Sequence, residues 1–540
     1  MRAHAAALIV LWLLAFVVRV DATAARTSAG HGDVAAYHQV AQHLHEGRGF
    51  EQDFVADRLA GPTALPTPSN TWWRPLPSVI GWLGMRAADD PSYTAGKRAM
   101  LVLSACVPWV AYLAGWLLLG TRVGALAAGL LAVGFHLYLD QPNHLLAHGP
   151  YALFGSGALL VALALERTTR PVPAFGVLFG LAYLSRGDAQ VLPLVLVAAL
   201  AARRLCDGRP VPWRALAAAA GLFVLVVAPW WGRNLRVYGA TMPPGLSRVA
   251  FATSYEEWFA EPDSLTWEHY RAWGWDNILA QKRDSVADAA AFLPLYASES
   301  VDHGRAAPPG SPVRRLHVLG RWVLNPLSWI GFAWLLVRRR RAALLVLLQI
   351  ALLIGVYSVL FPAVGRNSFH SGLFSVYPVV LVGVVAALGL ALRLLLGPRE
   401  RARQVATVAL AGVLCALNVW GARPYLADKY AGVETMLAPY RRLGEWIDAE
   451  GLERPVFYCR NPWQLSTETR AGAVMLPLGE AEELRRVAQT FGVTHLVDEL
   501  HSRETLLQLR PGLAALLDSG ELERVEAPLE FHVYRLKRGL

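Results

Sequence analysis

Apolar runs long enough to cross a lipid bilayer recur along most of this chain, and they constrain its fold more than any other feature. A transmembrane helix needs roughly 17 to 20 consecutive apolar residues, and most of the runs reach or approach that length. They predict a multi-pass α-helical membrane protein with about eleven transmembrane helices. The predicted spans are 5–20, 98–119, 122–139, 148–165, 172–186, 188–202, 214–232, 319–337, 342–361, 370–395 and 403–421.

Arginines concentrate in alternate links between these spans. Because cytoplasmic loops carry an excess of positive charge, this pattern predicts a cytoplasmic N-terminus and an extracytoplasmic chain from residue 422 onward. The loops 21–97 and 233–318 then lie outside, in an integral protein of the plasma (inner) membrane. The run Ala5 to Val18 also fits a signal-peptide core, but an uncleaved helix agrees better with the charge pattern. The net charge of +10 lies mainly in the links and implies no nucleic-acid partner.

The tail differs from the rest of the chain in composition, because it alternates amphipathic helices with short apolar strands. We therefore predict two domains: a transmembrane domain over 1–421 and a small soluble α/β extracytoplasmic domain over 422–540. The predicted tail elements are helix 440–450, strand 455–459, strand 473–476, helix 480–491, strand 494–498, helix 504–517 and a hairpin over 521–536. Of the four cysteines, Cys106 and Cys415 lie in apolar runs, so no disulfide framework is expected.

The first external loop opens with a conspicuous carboxylate, Asp33. Apolar residues follow it at helical spacing from Tyr37 to Leu44, which predicts an amphipathic helix lying on the membrane surface. Asp33 is the candidate catalytic group. The structural alternative is that its carboxylate caps the helix N-terminus, a position that aspartate favours.

Several short motifs follow one another along the chain. They are Arg19 closing the first span, Gly32-Asp33 with Tyr37, Gly47-x-Gly49-Phe50, Arg74-Pro75-Leu76-Pro77, the stretch Gly180 to Arg186, Pro229 to Asn234, Tyr238-Gly239, and Arg470 to Pro477 in the tail. In this order they resemble the GT-C glycosyltransferases, especially the family of protein O-mannosyltransferases and the lipid A aminoarabinose transferase (glycosyltransferase family 39-like).

The resemblance implies an enzyme that transfers a sugar, with inversion, from a polyprenyl-phosphate carrier to an external acceptor hydroxyl. Asp33 would then act as the general base. Arginine forks match phosphate oxygens and stay charged near a lipid surface. The candidate phosphate-binding residues, all at external helix ends, are Arg74, Arg186, Arg233, Arg236 and Arg366. For each of them the alternative is snorkelling to the lipid headgroups.

Other polar and aromatic residues on the external side are candidates for the substrate pocket. They are Tyr37, Trp72, Trp73, Asp140, His144, His148 and Asn234. Interfacial anchoring is the alternative for the aromatic residues. The chain departs from the family at Val34, where protein mannosyltransferases have a second acidic residue, and at His148, where bacterial relatives often have glutamate. With these two departures the sequence does not identify the acceptor, and a lipid, a glycan and a protein stay as alternatives.

Neither a metal nor another cofactor is expected. His31, His38, His43 and His45 crowd the first loop, but their spacing does not place metal ligands on one helix face. The sequence contains no Asp-x-Asp pair, by which many nucleotide-sugar enzymes hold a divalent ion. The expected partners are therefore a polyprenyl-phosphate-linked sugar and the membrane lipids.

Three other functions fit parts of the pattern. A transporter or flippase of lipid-linked sugars would also need many spans and phosphate-binding arginines, but it predicts repeated halves and charges within the spans. A ligase would move a whole glycan from a lipid pyrophosphate. In an inactive assembly protein, Asp33 would be only a helix cap.

Overall fold

The computed structural model describes residues 2–30, 32–259, 262–292, 324–499, 511–525 and 530–537. The chain forms two compact units, each built from three segments. The first unit comprises Met1–Arg26, Lys97–Trp230 and Lys282–Lys429, and the second comprises Thr27–Gly96, Trp231–Gln281 and Tyr430–Leu540.

Seven helices of the described residues are long and apolar enough to cross a membrane, as expected for a multi-pass helical protein. They are Arg2–Ala22, Tyr93–Leu119, Gly187–Asp207, Trp213–Tyr238, Arg340–Leu360, Tyr377–Leu396 and Glu400–Ala449. An eighth span results if the pair Arg122–Val133 and His136–Asn143, bent by 56°, counts as one.

The other predicted spans coincide with shorter apolar helices. His148–Ala164 and Val172–Ser185 match two of them. The helix Asn325–Arg338 matches the third, and the first residues of that predicted span, 319–323, lie outside the described residues. The total of eleven spans thus stays a prediction.

Within the first unit, glycines allow helices to approach closely. A Cβ atom added at Gly331 would lie 1.6 Å from the carbonyl oxygen of Gly383. The helices Asn325–Arg338 and Tyr377–Leu396 therefore cross at a point where no side chain fits. Such small-residue crossings let helix backbones pack closely in the absence of a hydrophobic driving force.

The second unit contains helices and all eight described strands. The helices wholly within it are Asp33–His45, Leu76–Ala88, Trp267–Ala272, Pro462–Thr469, Ala481–Phe491 and Pro511–Asp518, and the helix Trp275–Phe292 begins there. The strands are β1 (Glu51–Gln52), β2 (Phe54–Val55), β3 (Thr67–Pro68), β4 (Val456–Cys459), β5 (Gly472–Met475), β6 (His495–Asp498), β7 (Leu522–Val525) and β8 (His532–Leu536).

Six of these strands form one sheet in the order β2-β5-β4-β6-β8-β7. The first four are parallel, whereas β8 pairs antiparallel with both β6 and β7. The five tail strands lie within or next to the predicted ranges. The edge strand β2 comes from the loop 21–97, where no strand was predicted, and Phe54 pairs with Ala473.

Two helices that flank this sheet pack directly against each other. Gln39 of the helix Asp33–His45 donates a buried hydrogen bond of 2.8 Å to Ser466 of the helix Pro462–Thr469. Ala36, Phe54 and Leu465 share one apolar core beside this contact. The second unit therefore joins the start of the loop 21–97 to the tail, and this packing positions Asp33.

Candidate active site

Asp33 is the first residue of the helix Asp33–His45, and its side chain is exposed. Gly32 takes the N-cap position with a φ of 63°, a left-handed conformation that glycine adopts readily. The alternative in which Asp33 itself is the N-cap residue is therefore wrong. The carboxylate lies at the positive end of the helix dipole, where an anion is stabilised.

A tryptophan orients the Asp33 carboxylate. The indole Nε1 of Trp73 donates a hydrogen bond of 2.7 Å to Oδ1 of Asp33. The Trp73 ring makes edge-to-face contacts with Phe54 at 6.1 Å and with Trp463 at 6.4 Å between centroids. Packing against the core thus fixes the indole, and the indole fixes the carboxylate.

Sequence reasoning missed Tyr255, which interacts electrostatically with Asp33, and Arg460, which interacts with Tyr255. Tyr255 is 51% exposed. Partial burial raises the pKa of its hydroxyl, the charges of Asp33 and Glu256 raise it further, and Arg460 opposes them. The guanidinium of Arg460 is exposed and makes no hydrogen bond to the described residues. Both residues lie far from Asp33 in sequence, so no local pattern could reveal them.

The predicted aromatic residues differ in their surroundings. Trp72 contacts Trp258 edge to face at 4.1 Å, and Trp258 contacts Tyr255 at 5.7 Å. Trp72 and Trp73 are both partly accessible, whereas Tyr37 is only 3% exposed. The accessible aromatic surface of this unit near Asp33 therefore comes from the tryptophans and Tyr255.

Arg233 holds the loop 21–97 in place. Its Nη2 donates to the carbonyl oxygens of Phe50 at 3.1 Å and Ser69 at 3.0 Å, and Nη1 donates to Oδ1 of Asn234 at 3.1 Å. Backbone carbonyl oxygens thus accept both Nη2 hydrogens of Arg233. Asn234 is fully buried and donates from Nδ2 to the carbonyl oxygen of Thr241.

The two other predicted phosphate-binding arginines of the second unit, Arg74 and Arg236, differ in burial. Arg74 is 8% exposed, and its carbonyl oxygen accepts a long hydrogen bond of 3.4 Å from Asn70. Arg236 is exposed. Arg366 belongs to the first unit, in the helix Gly365–Gly372, and its side chain lies outside the described part of the structure.

Arg186, in the first unit, lies in a buried polar cluster. Its Nε donates to Oδ1 of Asp188 at 3.0 Å, and its Nη2 donates to the Tyr357 hydroxyl at 3.2 Å. The guanidinium also lies 5.8 Å from the centroid of the Tyr151 ring. Tyr357 comes from a π-helical turn, Gly355–Leu360, a feature often found at functional sites. Nη1 makes no hydrogen bond to any residue that the structure describes.

The predicted polar residues Asp140, His144 and His148 lie at or after the end of the bent helix pair and also belong to the first unit. Asp140 is 4% exposed and accepts from His144 Nε2 at 3.0 Å and from Lys429 at 2.5 Å. His148 pairs through Nε2 with the Ser371 hydroxyl at 2.7 Å. Sequence reasoning missed Asp188, Tyr357 and Lys429; of these, Asp188 alone had a local signal, two residues after Arg186.

One histidine of the first loop, His43, has protein partners. His43 forms an ion pair of 3.1 Å with Asp53, which Arg48 also contacts at 2.6 Å. Burial opposes ionisation of Asp53, but His43 and Arg48 lower its pKa to about 2. Within the described ranges, no three His, Cys, Asp or Glu side chains converge as metal ligands. His31 lies outside the described residues.

Comparison with known proteins finds similarity in structure. No protein-family model and no curated protein sequence matches the chain. The oligosaccharyltransferase AglB from Archaeoglobus fulgidus, solved with an inhibitory peptide and a dolichol-phosphate, aligns with a TM-score of 0.55 and 13% identity over 99% of this chain and 74% of its own. ArnT from Cupriavidus metallidurans, bound to undecaprenyl phosphate, aligns with a TM-score of 0.52 and 15% identity over 98% of each chain. Both proteins are GT-C superfamily members, so this chain has the GT-C fold.

Proposed function

We propose that the chain is an inverting glycosyltransferase that moves a sugar from a polyprenyl-phosphate carrier to an acceptor hydroxyl on the extracytoplasmic face of the membrane. The observation that carries this proposal is the exposed Asp33 carboxylate, held by Trp73 at a helix N-terminus in a chain of the GT-C fold. The two solved proteins of this fold bind polyprenyl phosphates, which supports the choice of carrier. The arginine pattern of the links supports the external location.

In the proposed reaction Asp33 is the general base. The acceptor oxygen forms a bond to the anomeric carbon as the bond from that carbon to the carrier phosphate breaks. The acceptor proton passes to Asp33, and the electron pair of the broken bond stays on the phosphate. Aspartate, with an ordinary pKa near ~3.9, is a weak base, but it suffices when the proton leaves only as the new bond forms.

The phosphate that departs is a stable anion, so hydrogen bonds and positive charge serve it better than a general acid. Arg186 is the proposed principal contact, because Asp188 and Tyr357 orient its guanidinium while Nη1 keeps its hydrogens for a ligand. Arg74, Arg236 and Arg366 stay proposed phosphate contacts. The contacts of Arg233 favour a role in holding the first loop.

For the sugar pocket, the contacts favour Trp72 and Trp73 over the other predicted residues, because these two rings combine accessible surface with fixed orientation. Tyr37 and Asn234 are buried. Asp140, His144 and His148 stay proposed acceptor residues. No metal or other cofactor takes part in the proposal.

The experiment that tests the proposal offers the purified full-length protein a panel of polyprenyl-phosphate sugars and polyprenyl-pyrophosphate glycans. We expect consumption of a monophosphate-linked sugar with inversion at the anomeric carbon. Consumption of only the pyrophosphate-linked glycans would favour the ligase instead. Movement of an unreacted lipid-linked sugar across a vesicle membrane, without transfer, would favour the flippase. Either outcome would overturn the proposal.

A further inference from the structure

Arg186 and Asp188 form a buried ion pair of fixed geometry. The Asp188 side chain is fully buried, and its Oδ1 lies 3.0 Å from Nε of Arg186. A Cβ atom at Gly372 would lie 2.9 Å from Oδ2 of Asp188, so the backbone packs directly on the carboxylate. Neither partner can therefore turn away from the other without local repacking.

This pair has no net charge before a ligand binds. Nη1 of Arg186 still has hydrogens to donate, but the positive charge behind them is balanced by a carboxylate in direct contact. Charges interact strongly where water is excluded, so this balance affects a bound anion more than a surface pair would. The other titratable groups around Arg186 are Tyr151, Tyr357, His148 and His370.

Under the proposed function, on which this inference rests, the carrier phosphate changes its charge during the reaction. The donor is a phosphodiester with a single negative charge, whereas the released carrier is a phosphomonoester with a charge of about −1.5 to −2. An arginine without a counter-ion would bind the more charged product more tightly than the donor. Product release would then become slow.

We propose that Asp188 is a positioning residue that gives this site its specificity for the donor diester over the product monoester. It holds Arg186 through Nε so that Nη1 is presented to a phosphate oxygen. Its negative charge also weakens the attraction for the second charge of the product. The ligand class is thus a lipid phosphate, and the discrimination is by charge.

The test compares two lipids in the purified full-length protein in nanodiscs: undecaprenyl phosphate, a monoester, and its methyl ester, a diester. Asp188→Asn keeps an oxygen that accepts from Nε but removes the negative charge. We expect the preference for the monoester to rise by about tenfold, and steady-state turnover to fall while single-turnover transfer persists. An unchanged or reduced preference would overturn the inference.

A matched control is Asp207→Asn, which breaks another arginine–carboxylate pair of the first unit, the 2.7 Å contact with Arg341, outside the proposed site. The preference of Asp207→Asn for the monoester over the diester should equal that of the wild type. If Asp188→Asn does not fold, Asp188→Ser takes its place, because serine also removes the negative charge and keeps an oxygen that can accept a hydrogen bond. The same rise in the preference for the monoester is expected, and an unchanged preference would overturn the inference.

Arg186→Gln separates this inference from the proposed function. If it weakens both lipids and Asp188→Asn leaves the preference unchanged, the inference fails and the phosphate assignment stands. If Arg186→Gln leaves both affinities unchanged, the phosphate assignment itself fails.

Discussion

The indole Nε1 of Trp73 donates a hydrogen bond of 2.7 Å to Oδ1 of Asp33, and the two residues are 40 positions apart in the chain. The bond joins the start of the helix Asp33–His45 to the far side of the loop 21–97. It helps to fix the orientation of an exposed carboxylate.

Trp73→Phe should therefore impair catalysis more than folding. Phenylalanine keeps most of the ring contact with the core but removes the donor. A hydrogen bond to a charged group contributes roughly 1.5–3 kcal/mol, so we expect kcat to fall by about tenfold or more. The melting temperature should change little. Trp82→Phe is the control, because Trp82 packs against a separate apolar cluster of Ala41, Met85 and Ala95 and has no role in the proposed site. An equal loss in both variants would mean that the indole donor of Trp73 has no special role.

Glu499 should make the stability of the protein depend on pH. Burial raises the pKa of its carboxyl to about 7, although Tyr440, the backbone of Arg460 and Asn461 donate hydrogen bonds that lower it. The pKa of Glu499 in the folded protein lies above its ordinary value. Protonated Glu499 therefore stabilises the fold in acid, and this contribution is lost as pH rises through about 7.

We expect the melting temperature of the wild type to fall from about pH 5 to pH 8 relative to that of Glu499→Gln, with a difference in unfolding free energy of at most about 3 kcal/mol. The amide resembles the protonated acid, so the variant should show a flatter profile. Burial also raises the pKa of Asp57, to about 6, and this group contributes equally to both proteins. Parallel profiles would contradict the assignment.

The Arg58–Glu483 pair should matter for stability because it is mostly buried. Its N–O distance is 2.6 Å, and the two side chains are 9% and 18% exposed. Glu483→Gln removes the negative charge from a mostly buried, charge-assisted contact, which should cost roughly 1.5–3 kcal/mol. Thermal unfolding of Asp263→Asn provides the comparison, because its ion pair with Arg248 lies at the surface and should contribute less than about 1 kcal/mol.

The crossing at Gly331 should not tolerate a side chain. Gly331→Ala places a methyl group on the backbone of Gly383, so the helices must separate, at a cost of about 1–3 kcal/mol or more. Gly389 lies on the same helix as Gly383 with open space around it, so Gly389→Ala should leave the melting temperature nearly unchanged. Equal melting temperatures of the two variants would mean that the helices do not pack at this crossing.

The sequence predicted the membrane helices and tail strands because both signals are local. Apolar length identifies a span, and short apolar runs between turns identified strands such as β4 and β6. The strand β2 was missed because two residues carry no periodicity, and the pairing of Phe54 with Ala473 is decided by packing across more than four hundred positions. The helix Pro462–Thr469 was missed because it is only eight residues long.

For the candidate site, too, the sequence reveals local motifs but not tertiary contacts. Asp33 and Arg186 stand in recognisable motifs, so sequence could nominate them. Gly32 displaces Asp33 from the N-cap because a left-handed residue fits the turn that enters the helix. The donors and counter-ions that orient these groups, such as Trp73 and Asp188, follow from tertiary packing, and only Asp188 lies near its partner in sequence.

The central claim is that Asp33 takes the proton of the acceptor, and the single-turnover rate of Asp33→Asn tests it most directly. The reaction uses enzyme saturated with the polyprenyl-phosphate sugar that the wild type consumes. Asparagine keeps the shape of the side chain and can accept the Trp73 hydrogen bond, but it cannot take a proton. We expect donor affinity within a few-fold of the wild type and a transfer rate lower by about a hundredfold or more. The control Asp89→Asn removes another exposed carboxylate of the second unit and should react at the wild-type rate. Transfer by Asp33→Asn at the wild-type rate would contradict the account.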